Sequence, residues 1–256
     1  MTQAVTTLKD GIAVVTGAGS GLGRALAMEL AANGLSVVGF SRREAALQET
    51  ADLIGQGRFT PMVVDVADGA AVRAAFEKIA QLGEVTILIN NAAVFPHRDC
   101  LEETSESFMH TVAINLGGTF ACSRSALQSM TKTGIGHIVN VSSFADIAPM
   151  PTAAAYSVSK GAGQILTRAL VADLGDRFPG IVVNTWMPGM LATEMGPAQG
   201  LPPEQAARWG VRLALWQDAA LNGVVFEQDY EILPPRSLKG RLKDKLLRRS
   251  RAPRRL

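Results

Sequence analysis

The sequence predicts an α/β fold in a single domain, with helices on both faces of a doubly wound parallel sheet. Short apolar runs alternate along the chain with longer stretches whose apolar side chains recur every three or four positions. The short runs are apolar on consecutive positions, which is typical of strands covered on both faces. A glycine-rich turn follows the first run. This alternation indicates parallel strands joined by helices.

The predicted elements follow one another along the chain. The strand candidates are residues 12–16, 36–40, 62–64, 87–89, 137–141 and 181–185, and the helix candidates are residues 21–33, 43–54, 68–81, 105–131 and 153–178. A helix at 203–217 and a strand at 223–227 complete the series. Because no repeat, linker or composition break precedes residue 234, we expect one domain over residues 1–235 and a separate tail over residues 236–256.

The composition excludes several classes of protein. The chain has 256 residues, 47% of them hydrophobic, which is enough for one sizeable core. Two cysteines without C-x-x-C spacing (Cys100 and Cys122) and three scattered histidines (His97, His110 and His137) predict neither a disulfide scaffold nor a metal site. Polar residues throughout residues 1–11 and the lack of a long apolar run predict no signal peptide and no membrane span. We therefore expect a cytoplasmic protein without a bound metal.

The net charge of +2 conceals an uneven distribution. Residues 236–256 contain ten basic residues and one acid, so the tail carries +9 and the rest of the chain −7. The acidic body argues against nucleic acid as a partner. Within the tail, Leu238, Leu242 and Leu246 recur every four residues among lysines and arginines. Three interpretations stay open: a disordered or self-docking extension, a basic helix on an anionic membrane surface, and a segment that binds nucleic acid or another polyanion.

The turn after the first predicted strand indicates a phosphate site. Residues 17–23 are Gly-Ala-Gly-Ser-Gly-Leu-Gly and lead directly into a helix. Glycine lets the backbone turn tightly and approach a pyrophosphate, whose charge the helix N-terminus stabilises. Between a strand and a helix, this pattern predicts a Rossmann-type dinucleotide site. The candidate binding residues are Gly17, Ser20, Gly21, Leu22 and Gly23, and the alternative is a glycine-rich turn without a ligand.

The end of the second predicted strand indicates which dinucleotide binds. An acid at this position would hold a ribose 2′-hydroxyl and repel a 2′-phosphate. This chain has Ser41 there, followed by Arg42 and Arg43. Because the planar guanidinium fork suits a phosphate dianion, the sequence favours NADP(H) over NAD(H). The alternative is that the two arginines only begin a solvated helix.

A tyrosine and a lysine one helical turn apart predict proton transfer. Tyr156 and Lys160 lie on one face of the helix expected at 153–178. A phenol, with an ordinary pKa of about 10, is a poor base at neutral pH, and a neighbouring ammonium is expected to lower that pKa. Ser143 follows the strand at 137–141, at the carboxyl edge of the sheet, where its hydroxyl could hold a substrate oxygen.

These motifs and their order resemble the short-chain dehydrogenase/reductase family, in its single-domain form. The resemblance extends from Thr16 to about Tyr230, which is nearly all of the predicted domain. Its elements are Thr-Gly-x-x-x-Gly-x-Gly at 16–23, Asp65-Val66, Asn90-Asn91-Ala92, Asn115, Ser143, Tyr156 with Lys160, and Pro188-Gly189 with Thr193. Ser143 lies thirteen positions before Tyr156, which also matches the family's spacing.

The resemblance implies a role for each matching residue. Asp65 would meet the adenine with Val66 beside it, and Asn91 would lie along the adenosine ribose. Lys160 would also hold the hydroxyls of the nicotinamide ribose, and Asn115 would help to order a water that relays protons to Lys160. The implied binding set is completed by Ala92, Pro188, Gly189, Leu191 and Thr193, of which Leu191 and Thr193 would orient the carboxamide.

Two departures from the family pattern affect these expectations. Ala93 stands where the family commonly has glycine, which narrows the space beside the cofactor. Tyr230 and Glu231 stand where the frequent pattern near the last strand ends in Gly-Gly. We expect a homodimer or homotetramer, and the second departure weakens the expectation of a tetramer because it alters the sheet edge.

The sequence as a whole predicts an NADP(H)-dependent oxidoreductase that transfers a hydride between the nicotinamide and a ketone or secondary alcohol, with Tyr156 as general acid or base. Apolar residues in the candidate pocket segments favour a rather apolar substrate: Phe95, Phe144, Met150, Met187 and Met190. The alternatives are an NAD(H)-linked alcohol dehydrogenase and, from another class, a non-catalytic cofactor-binding scaffold whose tail binds a membrane or a polyanion.

Overall fold

A mostly parallel sheet with helices on both faces forms the core of the computed structural model, which describes residues 5–55, 57–233 and 252–256. Over these residues the sheet has eight strands in the order β3-β2-β1-β4-β5-β6-β7-β8. The strands are β1 Ile12–Thr16, β2 Ser36–Ser41, β3 Phe59–Val63, β4 Val85–Asn90, β5 Gly136–Val141, β6 Ile181–Met187, β7 Val225–Glu227 and β8 Tyr230–Ile232. All neighbours pair in parallel except β7 and β8. The predicted α/β, Rossmann-type fold in one domain is confirmed.

The helices cover the two faces of the sheet in separate groups. They are α1 Gly21–Ala32, α2 Glu44–Ile54, α3 Gly69–Leu82, α4 Ser105–Val112, α5 Gly118–Thr133, α6 Ala154–Leu174 and α7 Pro203–Leu215. One apolar cluster joins α1 and α7 to the sheet, and a second joins α3, α5 and α6 to the other face. Along β1, Ala13 and Val15 belong to the first cluster and Ile12 and Val14 to the second. This alternation explains why the strand is apolar at consecutive positions.

Most bounds differ from the sequence prediction by only a few residues, and three elements differ in kind. The strand predicted at 62–64 begins at Phe59 and includes Pro61, which is tolerated because β3 is an edge strand. The helix predicted at 105–131 is interrupted by a π-helical turn, Ala113–Gly117. The short strand β8 was not predicted and forms an antiparallel hairpin with β7.

The direction in which successive strands are added to the sheet reverses between the neighbouring strands β1 and β4. Because β2 and β3 lie on one side of β1 while β4 to β8 lie on the other, the connections leave the carboxyl ends of β1 and β4 in opposite directions. This arrangement opens a crevice at the carboxyl edge of the sheet, where doubly wound folds bind their ligands.

Part of the predicted basic tail lies against the sheet. Arg255 forms an antiparallel bridge with Tyr230, and Leu256 packs against the first apolar cluster. Residues 236–251, which carry the leucine repeat and most of the positive charge, lie outside the described residues. Among the helices of the described part of the chain, none is both long and apolar enough to cross a membrane.

Candidate active site

A cavity of about 1220 Å³ occupies the crevice at the carboxyl edge of the sheet. Its lining includes every predicted catalytic and cofactor-binding residue except Asn115, which is buried behind the wall. The cavity therefore joins the glycine-rich turn, the end of β2 and the Tyr156–Lys160 pair in one continuous space. Such a volume is large enough for a dinucleotide together with a small substrate.

The turn between β1 and α1 has the backbone shape that its glycines allow. Gly17 and Gly21 have φ angles of +71° and +50°, in the left-handed region that side chains disfavour. A Cβ atom on Gly23 would overlap the carbonyl oxygen of Gly17, so only glycine lets α1 begin this close to the turn. Ser20 and Leu22 complete the lining, and the N-terminus of α1 faces the cavity.

The end of β2 presents a hydroxyl and two guanidinium groups to the cavity. The backbone N–H of Arg43 donates to Ser41 Oγ at 3.2 Å, and Arg43 Nη2 donates to Ser20 Oγ at 3.1 Å. Arg43 Nη2 is 3.9 Å from Glu194 Oε2, and this ion pair is weak because both side chains are exposed to solvent. Arg42 also lines the cavity and is exposed. Both guanidinium groups can therefore turn toward an anion in the cavity.

Asn91 has a structural contact that the motif alone did not reveal. Its side-chain amide donates to Thr16 O at 2.9 Å, and the Thr16 hydroxyl accepts from the backbone N–H groups of Asn91 and Ala92. These bonds join the ends of β1 and β4 under the glycine-rich turn. Asp65 and Val66 line the cavity after β3, and Asp65 accepts from the backbone of Ala67 at 3.0 Å.

Tyr156 and Lys160 lie one turn apart on α6, as predicted, with the Lys160 ammonium 5.8 Å from the centre of the Tyr156 ring. Lys160 Nζ donates to Val141 O at 2.8 Å, and burial lowers the pKa of this ammonium to about 8. Burial also raises the pKa of the Tyr156 phenol, and the nearby Ser143 hydroxyl offsets this only in part. The expected net lowering of the Tyr156 pKa is therefore wrong for this site, because desolvation of the phenolate outweighs the interactions that favour it.

Ser143 lies at the N-terminus of a short 3-10 turn, Phe144–Asp146, directly after β5. Its hydroxyl accepts from the backbone N–H of Ala145 at 3.2 Å and lines the cavity beside Tyr156. The neighbouring Ser142 hydroxyl also reaches the cavity wall, is buried, and has no hydrogen-bond partner among the described residues. A buried hydroxyl without a partner at a cavity wall is a candidate contact for a ligand.

Asn115 lies in the π-helical turn and holds the wall of the site. Its side chain accepts from Val94 N at 2.8 Å and donates to Val94 O at 3.0 Å. It also donates to Ser159 Oγ, which in turn donates to the carbonyl oxygen of Tyr156 at 2.7 Å. The side chain thus connects the loop after β4 to the helix that carries Tyr156. Ser159 was not among the predicted site residues, although it lies within the Tyr156–Lys160 motif.

The loop that contains Pro188, Gly189, Leu191 and Thr193 also lines the cavity. Gly189 has a φ angle of +89°, and Thr193 approaches Gly21, so that a Cβ on this glycine would lie 3.1 Å from Thr193 Cγ2. The loop therefore closes over the start of α1, at the side of the cavity where the sequence predicts the carboxamide contacts.

Aromatic side chains form one wall of the cavity beside Tyr156. Phe95 stacks on the ring of Tyr156 with 4.6 Å between centroids, and His97 lies on the other face of Phe95 at 3.7 Å. Around the mouth of the cavity, Phe144, Met150 and Met190 are exposed. These apolar side chains face the space that a substrate would enter.

A buried polar network supports the strands beneath the site and was missed by sequence reasoning. Asn90 donates to Ser123 Oγ and Asn140 Oδ1, and Asn140 donates to Thr167 Oγ1 at 2.9 Å. Thr185 completes the network through Thr167. The network connects β4, β5 and β6 with α5 and α6, so it fixes the strand ends relative to the helix that carries Tyr156. Its members are far apart in the sequence, which left no local pattern to find.

The sequence and the structure both match known oxidoreductases. The family model described as short chain dehydrogenase matches residues 11–201. Galactitol 2-dehydrogenase (L-tagatose-forming) of Cereibacter sphaeroides is 36% identical over 209 residues, which are 81% of this chain and 82% of that protein. Carbonyl reductase [NADPH] 2 of Sus scrofa is 34% identical over 218 residues, which are 83% and 85% of the two chains.

Among solved structures, this chain is similar to a putative NAD(P) dependent gluconate 5-dehydrogenase from Beutenbergia cavernae with bound NADP. The TM-score is 0.80 at 30% sequence identity, and the match covers 87% of this chain and 96% of that one. The similarity therefore extends over the whole sheet and its helices, and not only over the glycine-rich turn.

Proposed function

This chain belongs to the short-chain dehydrogenase family, and from that membership we propose that it is an NADP(H)-dependent oxidoreductase that interconverts a ketone and a secondary alcohol. One observation carries the proposal: Tyr156, Lys160 and Ser143 share a cavity with the glycine-rich turn and with Ser41, where no acid stands. The relatives whose names state a reaction act on alcohols or carbonyl compounds.

The cavity fits a nicotinamide dinucleotide phosphate by shape and charge. The close approach of α1 at Gly23 leaves a backbone cradle for a pyrophosphate, and Ser41, Arg42 and Arg43 would hold an adenosine 2′-phosphate. Asp65, Val66, Asn91 and Ala92 would hold the adenosine half, and Lys160 with residues 188–193 would hold the nicotinamide half. The bound nicotinamide supplies or accepts the hydride.

The residues of the site supply the proton and the alignment. A phenol carries its proton at neutral pH, and burial raises the pKa of Tyr156 further, so Tyr156 can donate that proton to a carbonyl oxygen as the alkoxide forms. The hydroxyl of Ser143, next to Tyr156 in the cavity wall, is placed to hold the same oxygen. The Lys160 ammonium stabilises the phenolate that remains. In alcohol oxidation the same groups act in reverse.

The pocket favours a rather apolar carbonyl substrate. Phe95 covers one face of Tyr156, and Phe144, Met150 and Met190 surround the entrance with exposed apolar surface. Methionine side chains adapt to substrates of different shape. A screen of NADPH oxidation over acyl thioesters, sugars, steroids, quinones and small ketones tests this preference, which faster turnover of sugars than of apolar ketones would contradict.

We also propose that the protein is a cytoplasmic homodimer or homotetramer. Val158 and Ile165 lie two turns apart on α6 and are both more than half exposed, as expected for a face covered by a second copy. A monomer in sedimentation velocity would contradict this. For residues 236–251, peripheral attachment to an anionic membrane remains a hypothesis, and equal binding of the chain and of a charge-neutralised variant to anionic vesicles would reject it.

Replacement of Tyr156 by phenylalanine tests the proposed chemistry. We expect Tyr156→Phe to bind NADPH nearly as tightly as the wild type while carbonyl reduction falls by at least about a hundredfold, because only the donated proton is removed. Turnover is measured as NADPH oxidation, and binding by calorimetric titration. Tyr230→Phe is a matched control, because Tyr230 is the only other tyrosine and its hydroxyl bonds to Glu227 in the β7–β8 hairpin.

The same measurements on the variant and the wild type separate an oxidoreductase from a non-catalytic cofactor-binding scaffold. Full reductase activity in Tyr156→Phe would contradict the mechanism. A wild-type chain that binds NADPH but oxidises it with no carbonyl compound of the panel would support the non-catalytic scaffold instead.

A further inference from the structure

Residues 252–256 form an additional extended segment along the edge of the sheet. The backbone N–H of Glu231 donates to Arg254 O at 2.9 Å, and that of Leu256 donates to Asp229 O at 2.8 Å. Between these bonds, Tyr230 and Arg255 form the antiparallel bridge. Strand β8 is therefore paired on both sides, and its backbone is covered by a segment more than twenty residues further along the chain.

An ion pair anchors this segment. Arg254 Nε donates to Glu231 Oε2 at 2.8 Å and Arg254 Nη2 donates to Glu231 Oε1 at 3.2 Å, so the guanidinium binds the carboxylate with two parallel bonds. Glu231 is 2% exposed, and the bond to it raises the pKa of Arg254. The same guanidinium donates to Ala220 O. A charged pair held by two bonds at a buried carboxylate is a strong contact, so it ties residues 252–256 to β8.

The β7–β8 hairpin connects this anchor to residues 188–193, the loop proposed to hold the nicotinamide half and called the cofactor loop below. Gln228 lies in the hairpin turn next to Asp229, and its backbone N–H donates to Met187 O at 2.8 Å. The indole of Trp186 donates to Gln228 O at 3.0 Å. The Gln228 side chain covers Gly189, where a Cβ atom would lie 2.9 Å from Gln228 Nε2. Gly189 lines the cavity.

We infer that residues 252–256 position the cofactor loop: by pairing with β8 and binding Glu231 through Arg254, they hold the turn at Gln228 against Met187 and Gly189. The residues that replace the family's Gly-Gly, Tyr230 and Glu231, are those that pair with this segment. Arg254 is thus a positioning residue for dinucleotide binding. The inference rests on the proposed function only in requiring that a dinucleotide binds in this cavity.

The experiment compares full-length variants by calorimetric titration with NADPH and NADH and by steady-state kinetics. We expect Arg254→Ala to raise the Kd of the preferred dinucleotide about fivefold or more, with a corresponding rise in its KM and a smaller change in kcat. Arg254→Lys should recover part of the loss. Arg255→Ala is the matched control, because the Arg255 side chain is 77% exposed and its ion pair with Asp229, at 3.8 Å, is weak. The Kd of this variant for the dinucleotide should stay within about twofold of the wild-type value.

A second variant tests the contact between the Gln228 side chain and Gly189 and leaves the Arg254–Glu231 ion pair in place. Gln228→Ala should weaken dinucleotide binding in the same way, and its effect should not add to that of Arg254→Ala, because both act through one contact. If Arg254→Ala does not fold, unchanged binding by Gln228→Ala contradicts the inference by itself.

The outcomes separate this inference from the proposed function. Equal affinity of folded Arg254→Ala and of the wild type for the dinucleotide overturns the inference alone, and shows that residues 252–256 only cover the sheet edge. A wild-type chain that binds neither dinucleotide overturns the proposed function and this inference with it.

Discussion

Lys160 links the burial of the site to its pH dependence. Burial lowers the pKa of the ammonium to about 8, whereas the pKa of Tyr156 is raised, so the form with protonated tyrosine and charged lysine is populated below about pH 8. In the proposed mechanism, carbonyl reduction needs the proton on the Tyr156 phenol and the positive charge on the Lys160 ammonium. As the pH rises through the Lys160 pKa, the ammonium is lost first, and the phenolate left after proton donation loses its stabilising charge.

We therefore expect kcat/KM for carbonyl reduction to be level below about pH 8 and to fall above it. Rates measured across this range test the expectation. Lys160→Arg, which stays charged at all these pH values, should lose the alkaline fall in rate even if its activity is lower. A wild-type rate that stays level more than about one pH unit above 8 would contradict the role of Lys160.

At the residue scale, the sequence was informative where chemistry depends on residue type and short spacing. Gly17, Tyr156 and Lys160 could be predicted because a turn or a helix fixes how neighbours along the chain meet. Ser159 and Asn115 lie 44 positions apart, and their hydrogen bond depends on the packing of two elements. The direction of the Tyr156 pKa also depends on burial, which local sequence does not determine.

At the scale of elements, close packing of α7 on the sheet depends on one glycine. A Cβ atom on Gly210 would lie 2.7 Å from the ring of Trp186, which is fully buried in β6. Since Trp186 also donates to Gln228 O, the ring cannot move without disturbing the β7–β8 turn. The contact lies in the middle of α7, so a larger side chain there would push the helix away from the sheet.

Gly210→Ala is expected to destabilise the protein by about 1–3 kcal/mol through this overlap, although alanine is the better helix former. Chemical denaturation measures the change in the free energy of unfolding. Gly163→Ala in α6 is the matched control, because no atom lies within 4 Å of its added methyl and it should be neutral or slightly stabilising. Equal stability of Gly210→Ala and Gly163→Ala would contradict the packing argument.

Element boundaries could be predicted where periodicity was long and uninterrupted. Strand β1 has its predicted bounds, and β6 begins at Ile181 as predicted but continues two residues further, to Met187. The π-helical turn at Ala113–Gly117 and the edge strand with Pro61 could not be predicted, since each depends on its place in the fold rather than on local preference. Strand β8 is only three residues long, and its pairing depends on β7 and on residues 252–256.

At the scale of the whole molecule, the family motifs predicted the architecture but not the use of the last five residues. The order of the sheet follows from strand–helix alternation and from the position of the glycine-rich turn. The pairing of residues 252–256 with β8 depends on the burial of Glu231, which became evident only in the folded chain. Part of the strongly basic tail therefore packs with the folded domain, where Arg254 binds the carboxylate of Glu231.

The central claim is that this chain is an oxidoreductase built for NADP(H), and competitive calorimetric titration of the wild-type protein with NADPH and NADH tests it most directly. We predict at least about tenfold tighter binding of NADPH, equivalent to about 1.4 kcal/mol, because Arg42 and Arg43 follow Ser41 in the part of the cavity where we propose that the 2′-phosphate binds. Ser41→Asp should reduce or reverse this preference through charge repulsion. Equal or tighter binding of NADH by the wild type, or an unchanged ratio in Ser41→Asp, would contradict the claim.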